Sequence, residues 1–264
     1  MYDFAYHNPK TLADAVKLLA GDSEAKALAG GQTLIPTLKM RLAQPSKLVD
    51  LGGVAELKGI KLAGKVLTIG AGTTHAEVAA SADVQKSIPA LAHLAGDIGD
   101  VQVRHRGTIG GSIANADPAA DYPAAILALN ATIKTNKREI KADDFFKGMF
   151  TTALGEGELI VSVSFPVPDK AAYVKFPQPA SRFALVGVFV ALTGKTARVG
   201  VTGAGPHAFR LPGMEETLSK SFTPAALDKF SIETQHMNED MHASRTYRAH
   251  LVKILAQRAV TAAG

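Results

Sequence analysis

The sequence predicts an α+β protein built from two units, on three observations. Its 264 residues exceed what one usual hydrophobic core organises, so two domains, or one large domain with an appendage, are expected. Segments of helical period and short β-rich runs are interspersed along the chain rather than segregated. A strand then stops at Pro166-Val167-Pro168, which marks a linker and divides the chain into residues 1–168 and 169–264.

The elements follow in order. Thr11 opens a helix whose Leu12, Ala15, Val16 and Leu19 share one face, and Gly21 stops it. Lys26–Ala29 reads as a short strand, Leu34–Leu42 has mixed helical periodicity, and Lys47–Leu51 and Val66–Gly70 read as strands. Thr74 and Glu77 have the spacing of a capping box, predicting a helix over Ala76–Ser81. Ile88–Gly96 predicts another. Asp117-Pro118 has the form of an N-cap followed by proline at the first helical position, and Asp121–Leu129 buries Ile126, Leu127 and Leu129. Leu159–Phe165 is a strand. Beyond the linker come a strand or helix over Phe183–Leu192, a strand over Ala197–Thr202, and helical stretches at Pro224–Phe230 and Tyr247–Ala262.

Composition narrows the function. Charged residues make up 20% and hydrophobic residues 47%, the balance of an ordinary globular protein. No apolar run approaches the roughly 20 residues of a membrane span. The opening Met1-Tyr2-Asp3-Phe4-Ala5-Tyr6-His7 lacks the basic start and apolar middle of a signal peptide, and a cytoplasmic location is expected. With zero cysteines, disulfides and thiolate-held iron–sulfur clusters or zinc are excluded from this chain. The net charge of +5 is dispersed among acids and there is no Trp, so nucleic acid is not the expected partner. A positive surface that attracts an anionic cofactor or acidic partner is the milder reading.

Two glycine-dense stretches carry the chemistry: Ala29-Gly30-Gly31-Gln32-Thr33-Leu34 and Arg106-Gly107-Thr108-Ile109-Gly110-Gly111-Ser112. Glycine lets backbone amides approach a ligand and take positive φ, and consecutive amides in such a turn form an anion nest. Neither stretch is a P-loop or a Rossmann fingerprint, because the Lys of the one and the GxGxxG of the other are missing. Gly72, Thr73 and Thr74 add donors and hydroxyls. A lone glycine pair is most often an ordinary turn; the two stretches together suit a nucleotide diphosphate. Thr74 serves equally as a cap or as a cofactor contact, and Asp117 reads better as a cap than as a ligand.

AGGQTLIPTLKMRLAQPSKLVDL, GAGTTHAEV, QVRHRGTIGGSIANADPAADYPAAILAL, KFPQPASRFALVGV and SRTYRAHL together resemble the FAD-binding medium subunit of molybdenum hydroxylases, the family of carbon monoxide dehydrogenase medium chains and xanthine dehydrogenase FAD-binding subunits. The resemblance covers essentially the whole chain. It implies a PCMH-type (vanillyl-alcohol oxidase-like) FAD domain in two subdomains, roughly 1–56 and 57–168, and a smaller C-terminal α/β domain. It also implies that Ala29, Gly30, Gly31, Gln32, Thr33 and Leu34, with Thr108, Ile109, Gly110, Gly111 and Ser112, wrap the FAD diphosphate with backbone amides. Gly72, Thr73 and Thr74 line the same cleft, Ile98 makes an apolar contact, and Asp121 holds ribose or ribityl hydroxyls. Asp117 and Leu159 complete the FAD domain's contacts. Lys175 and Phe183 approach the isoalloxazine from the second domain; relatives often carry Tyr where this chain has Phe183. His75 and His105 are expected to form no covalent bond to FAD, and a bulky residue at Gly110 to intrude on the diphosphate.

The function implied is electron exit. Molybdopterin would reside in a large subunit and iron–sulfur (2Fe-2S) clusters in a small one, and FAD here would pass electrons to NAD, oxygen, a quinone or another carrier. The expected assembly is a dimer of heterotrimers, with the substrate site in the large subunit. No catalytic acid–base pair and no metal site is expected in this chain. Two alternatives stand beside this reading: a stand-alone FAD oxidoreductase acting on a small substrate, and a noncatalytic protein that has kept the fold.

Overall fold

The computed structural model describes residues 1–264 as three sheets flanked by helices, with one small additional hairpin. The first sheet is parallel, in the order β1 (Ala5–His7), β3 (Lys47–Asp50), β2 (Lys26–Leu28). Its helices are α1 (Leu12–Ala20) and α2 (Leu34–Lys39). Thr11 caps α1 by accepting from the Asp14 amide, as its position before the apolar stripe predicts. Ala15 and Leu19 of that stripe enter a small core with Val49, Val54, Leu57 and Leu159.

The second sheet is antiparallel, in the order β4 (Ile60–Ala63), β5 (Val66–Gly70), β10 (Ile160–Pro166), β6 (Thr132–Thr135), β7 (Glu139–Lys141). Six helices fall between β5 and β6: α3 (His75–Ala80), α4 (Ala82–Ser87), α5 (Pro89–Gly96), α6 (Val101–Arg106), α7 (Ile109–Asn115) and α8 (Tyr122–Ala128). A short α9 (Ala142–Phe145) and the hairpin β8 (Phe146–Gly148) and β9 (Thr151–Thr152) precede β10. Most of these elements and two strands of the next sheet share the largest core, in which α8 is buried on every side.

The third sheet is antiparallel, in the order β11 (Lys170–Pro177), β12 (Ala184–Thr193), β13 (Thr196–Thr202), β14 (Phe209–Arg210). Strand β12 shows how this sheet is held. Val186, Val188 and Val190 pack into a core with α10 (Pro212–Lys220) and the 19-residue α11 (Arg245–Ala263), while Phe189 and Ala191 point to the opposite face and join the core of the second sheet. Period-two alternation thus buries both faces, which is why this stretch reads as a continuous apolar run and left strand and helix undecided. Arg248 of α11, 3% exposed, pins the far side by donating to the Leu185 and Gly203 carbonyls and pairing with Asp240.

Three expectations are corrected. Asp117-Pro118 does not start a helix: the Asp117 carboxylate caps a turn by accepting from the Ala119 amide, and α8 begins at Tyr122 with Pro123 in its first turn. Pro224–Phe230 contributes one 3-10 turn, Pro224–Leu227. The second glycine stretch, read from the sequence as a turn, runs into the first turns of α7, with Thr108 as N-cap. Tertiary packing holds that helix despite two consecutive glycines of poor propensity.

Candidate functional site

Strand β2 ends at Leu28 and releases the chain into the first glycine stretch. Gly31 takes φ +74, the left-handed conformation that glycine adopts without penalty. The backbone amides of residues 29 through 34 donate to no protein acceptor. These residues are half-buried or exposed, so a run of consecutive N–H groups is left without a protein partner near the surface. Thr33 lies beside them with a hydroxyl that caps no helix amide.

The second stretch is built differently. Its chain forms a short antiparallel bridge with the third segment at Thr74 and Thr108, in which His75 donates to the Gly107 carbonyl and Ile109 donates to the Thr73 carbonyl. Gly110 donates to Ala71, Gly111 to the Thr108 hydroxyl, and Ser112 to the Thr108 carbonyl. The amides of Ile109, Gly110, Gly111 and Ser112 are thus engaged within the protein, and among Thr108 through Ser112 only that of Thr108 donates to no protein acceptor. Gly110 is buried, and a Cβ there would lie 2.6 Å from Ala71 Cβ and 2.7 Å from its carbonyl oxygen. Its lack of a side chain serves packing between two protein segments. Gly111 and Ser112 remain half-buried on the first turn of α7.

The two stretches meet at Gly30. A Cβ at Gly30 would run into the Arg106 carbonyl and lie 2.7 Å from Gly107 Cα, so the backbones touch directly. The third segment supports the second stretch. Gly72 donates to Leu57, Thr73 is 2% exposed with its hydroxyl on the Gly59 carbonyl, and Thr74 closes a full capping box with Glu77. The cap role of Thr74 is thereby settled, and its hydroxyl is occupied.

Asp121 sits at the start of α8, 4% exposed, and leaves the helix amides uncapped. Its Oδ1 accepts from the Tyr173 hydroxyl at 2.5 Å and pairs with Lys175 Nζ at 3.1 Å. Both donors come from β11, where positions two apart face the same way. Oδ2 is left outside these bonds. Lys175, its side chain 2% exposed, also reaches the Asp97 carboxylate at 3.2 Å and donates to the Asp97 carbonyl at 2.8 Å. Burial raises the Asp121 carboxyl to about 6, against the opposing pull of Lys175 and then Tyr173.

The turn after α5 carries Ile98 next to this pair. Ile98 is half-buried against the large core, and its carbonyl and that of Gly99 accept from the Arg104 guanidinium. Arg104 thus braces the turn. His75 is buried under Gly107, and its ring lies 5.3 Å from that of Tyr122. Burial, reinforced by Arg104, lowers it to about 4, so it is neutral at pH 7. Two other predicted contacts stand apart. Leu159 packs in the small core and exchanges hydrogen bonds with Asn136, so its place among cofactor contacts rests on the resemblance alone. Phe183 lies in the β11–β12 connection, 49% exposed. Tyr173 was missed in the sequence: it lies two residues before Lys175 on a strand not recognised there, and that spacing was the signal available.

The donor set fits FAD. A run of unpaired amides suits a diphosphate, and a buried carboxylate with one oxygen held and the other unbonded suits a sugar or ribityl hydroxyl.

Comparison with known proteins identifies the family. Residues 2–168 match the family model described as FAD binding domain in molybdopterin dehydrogenase. The chain is 36% identical to the glyceraldehyde dehydrogenase medium chain of Sulfolobus acidocaldarius, with 97% of each chain covered. It is 36% identical to the carbon monoxide dehydrogenase medium chain of Hydrogenophaga pseudoflava, covering 98% of this chain and 96% of that one. A chain in the structure of reconstituted CO dehydrogenase from Oligotropha carboxidovorans superposes with a TM-score of 0.92 at 32% identity, covering 99% of this chain and 98% of that chain.

Proposed function

This chain belongs to the family of FAD-binding domains in molybdopterin dehydrogenases, and on that premise we propose that it is the FAD-containing electron-transfer subunit of a molybdenum hydroxylase. The observation that carries the site is the run of unpaired amides from Ala29 to Leu34, pressed against the second glycine stretch at Gly30. In this reading those amides, with the Thr33 hydroxyl, hold the FAD diphosphate. Thr108 and the half-buried Gly111 and Ser112 border it, Asp121 accepts a cofactor hydroxyl through Oδ2, and Ile98 supplies an apolar contact. Lys175 brings a buried positive charge to the flavin end, and Phe183 supplies an aromatic face there without the hydroxyl of a Tyr.

Bound FAD supplies reversible electron storage; the protein's part is to place it and exclude side reactions. Electrons reach it from partner clusters, because a chain without cysteine cannot hold thiolate-ligated iron–sulfur centres itself. The partners proposed are a large molybdopterin-binding subunit and a small 2Fe-2S subunit, assembled as a dimer of heterotrimers in the cytoplasm. The domain division is 1–56, 57–168 and 169–264. End-to-end similarity to proteins named medium chains supports this over a stand-alone oxidoreductase. No helix is long and apolar enough to cross a membrane.

Native mass spectrometry of the protein purified gently from its own cells tests the proposal. An FAD-sized adduct together with one large and one small partner is the expected result. FAD without partners would overturn the subunit reading, and partners without flavin would overturn the FAD assignment.

A further inference from the structure

We infer that Tyr173 is a positioning residue: its hydroxyl, with Lys175, ties down one oxygen of Asp121, so that the ionised carboxylate presents the other to a hydroxyl of the bound dinucleotide and cofactor retention falls in acid. The inference rests on the reading of the cleft as an FAD site. It adds a residue that acts through Asp121 and a chemical condition for binding.

The Tyr173 side chain is held on all sides. Phe189, its register partner on β12, stacks on the ring with centroids 6.1 Å apart and planes at 29°. Gly187, the register partner of Lys175, clears the space at the hydroxyl, because a Cβ there would strike it. Such an arrangement fixes the hydroxyl on Asp121 Oδ1 and leaves Oδ2 as the only carboxylate atom free of protein donors.

The groups facing Asp121 decide its charge. Strand β11 supplies Tyr173 and Lys175, the end of α5 supplies the half-exposed Asp97, α8 itself supplies Tyr122, and β12 supplies only the uncharged Gly187 and Phe189. Burial alone would push the carboxyl into its neutral form; Lys175 and Tyr173 oppose that, and Asp97 works against them. A hydroxyl donates well to a carboxylate and poorly to a carboxylic acid. Ionised Asp121 therefore favours binding above its raised pKa, and that contribution is lost as pH falls through about 6.

The test is titration of the deflavinated full-length chain with FAD, followed by flavin fluorescence between about pH 5 and about pH 8.5. Below a midpoint near 6 the wild-type Kd is expected to rise toward tenfold per pH unit, the limit for one proton linked to binding. Tyr173→Phe should move that midpoint to higher pH, weakening FAD binding near pH 7 and recovering it in alkali. Asp121→Asn should bind weakly with a flat profile. A flat wild-type profile overturns the inference, as does a Tyr173→Phe variant weakened equally at every pH, which would make the tyrosine a packing residue only. Circular dichroism reports whether Tyr173→Phe is folded; if it is not, the wild-type and Asp121→Asn profiles decide. Failure to bind FAD at any pH would instead overturn the reading of the cleft.

Discussion

The two glycine stretches look alike in sequence and do different work. In the first, Gly31 uses its freedom to reach φ +74, and the surrounding amides are left unpaired for a ligand. In the second, the amides are consumed by Ala71, Thr73 and the Thr108 cap, and Gly110 is small because another segment's backbone lies against it. In the proposed function the first stretch meets the cofactor with its backbone, while the second packs against the first at Gly30. Glycine permits close approach, and the sequence does not say whether the approaching atoms belong to ligand or to protein.

Substitutions separate the two roles. Gly110→Val should have the largest effect, costing about 3 kcal/mol or more in folding stability through overpacking against Ala71. Urea denaturation read together with flavin content checks it; normal stability with flavin lost would restore a ligand-facing role and erase the contrast. Gly30→Ala comes next, because the new methyl pushes the two stretches apart. We expect a stability cost of about 2 kcal/mol and FAD affinity reduced about tenfold or more. An unchanged Kd measured by fluorescence titration would mean that the contact between the stretches does not shape the cradle.

Gly31→Ala sharpens the comparison from the ligand side. Forcing an alanine to φ +74 costs about 1–2 kcal/mol, and the strain falls on the residues whose amides are unpaired. FAD affinity should therefore drop more than thermal stability, in contrast to Gly110→Val. Thr74→Ala is the mildest: loss of its cap costs about 1 kcal/mol, seen as a small fall in Tm, with FAD Kd within about twofold of wild type. A large loss of affinity would return Thr74 to the cofactor.

Local grammar made much of the fold legible. The caps at Thr11 and Thr74, the strand Val66–Gly70 and the buried run after Asp121 were readable because each depends on neighbours within a turn or a few residues. Helix α7 was hidden, because Gly110-Gly111 opposes helix and only packing against Ala71 and the Thr108 cap sustain it. Strand β11 was hidden too, and with it the pairing of Tyr173 and Lys175 on Asp121, since contacts across such separations leave no local trace.

By itself the sequence determined the family, the absence of any thiolate-held centre, and the places where the backbone must be bare. Those properties reside in residue identity and order: no folding can add a cysteine or remove a Cβ. Tertiary structure alone decided which bare backbone keeps its amides unpaired, which carboxylate oxygen stays unbonded, and which strand supplies its partners. Hydrogen-bond capacity is finite, and how it is divided between protein and cofactor is settled only when distant segments meet.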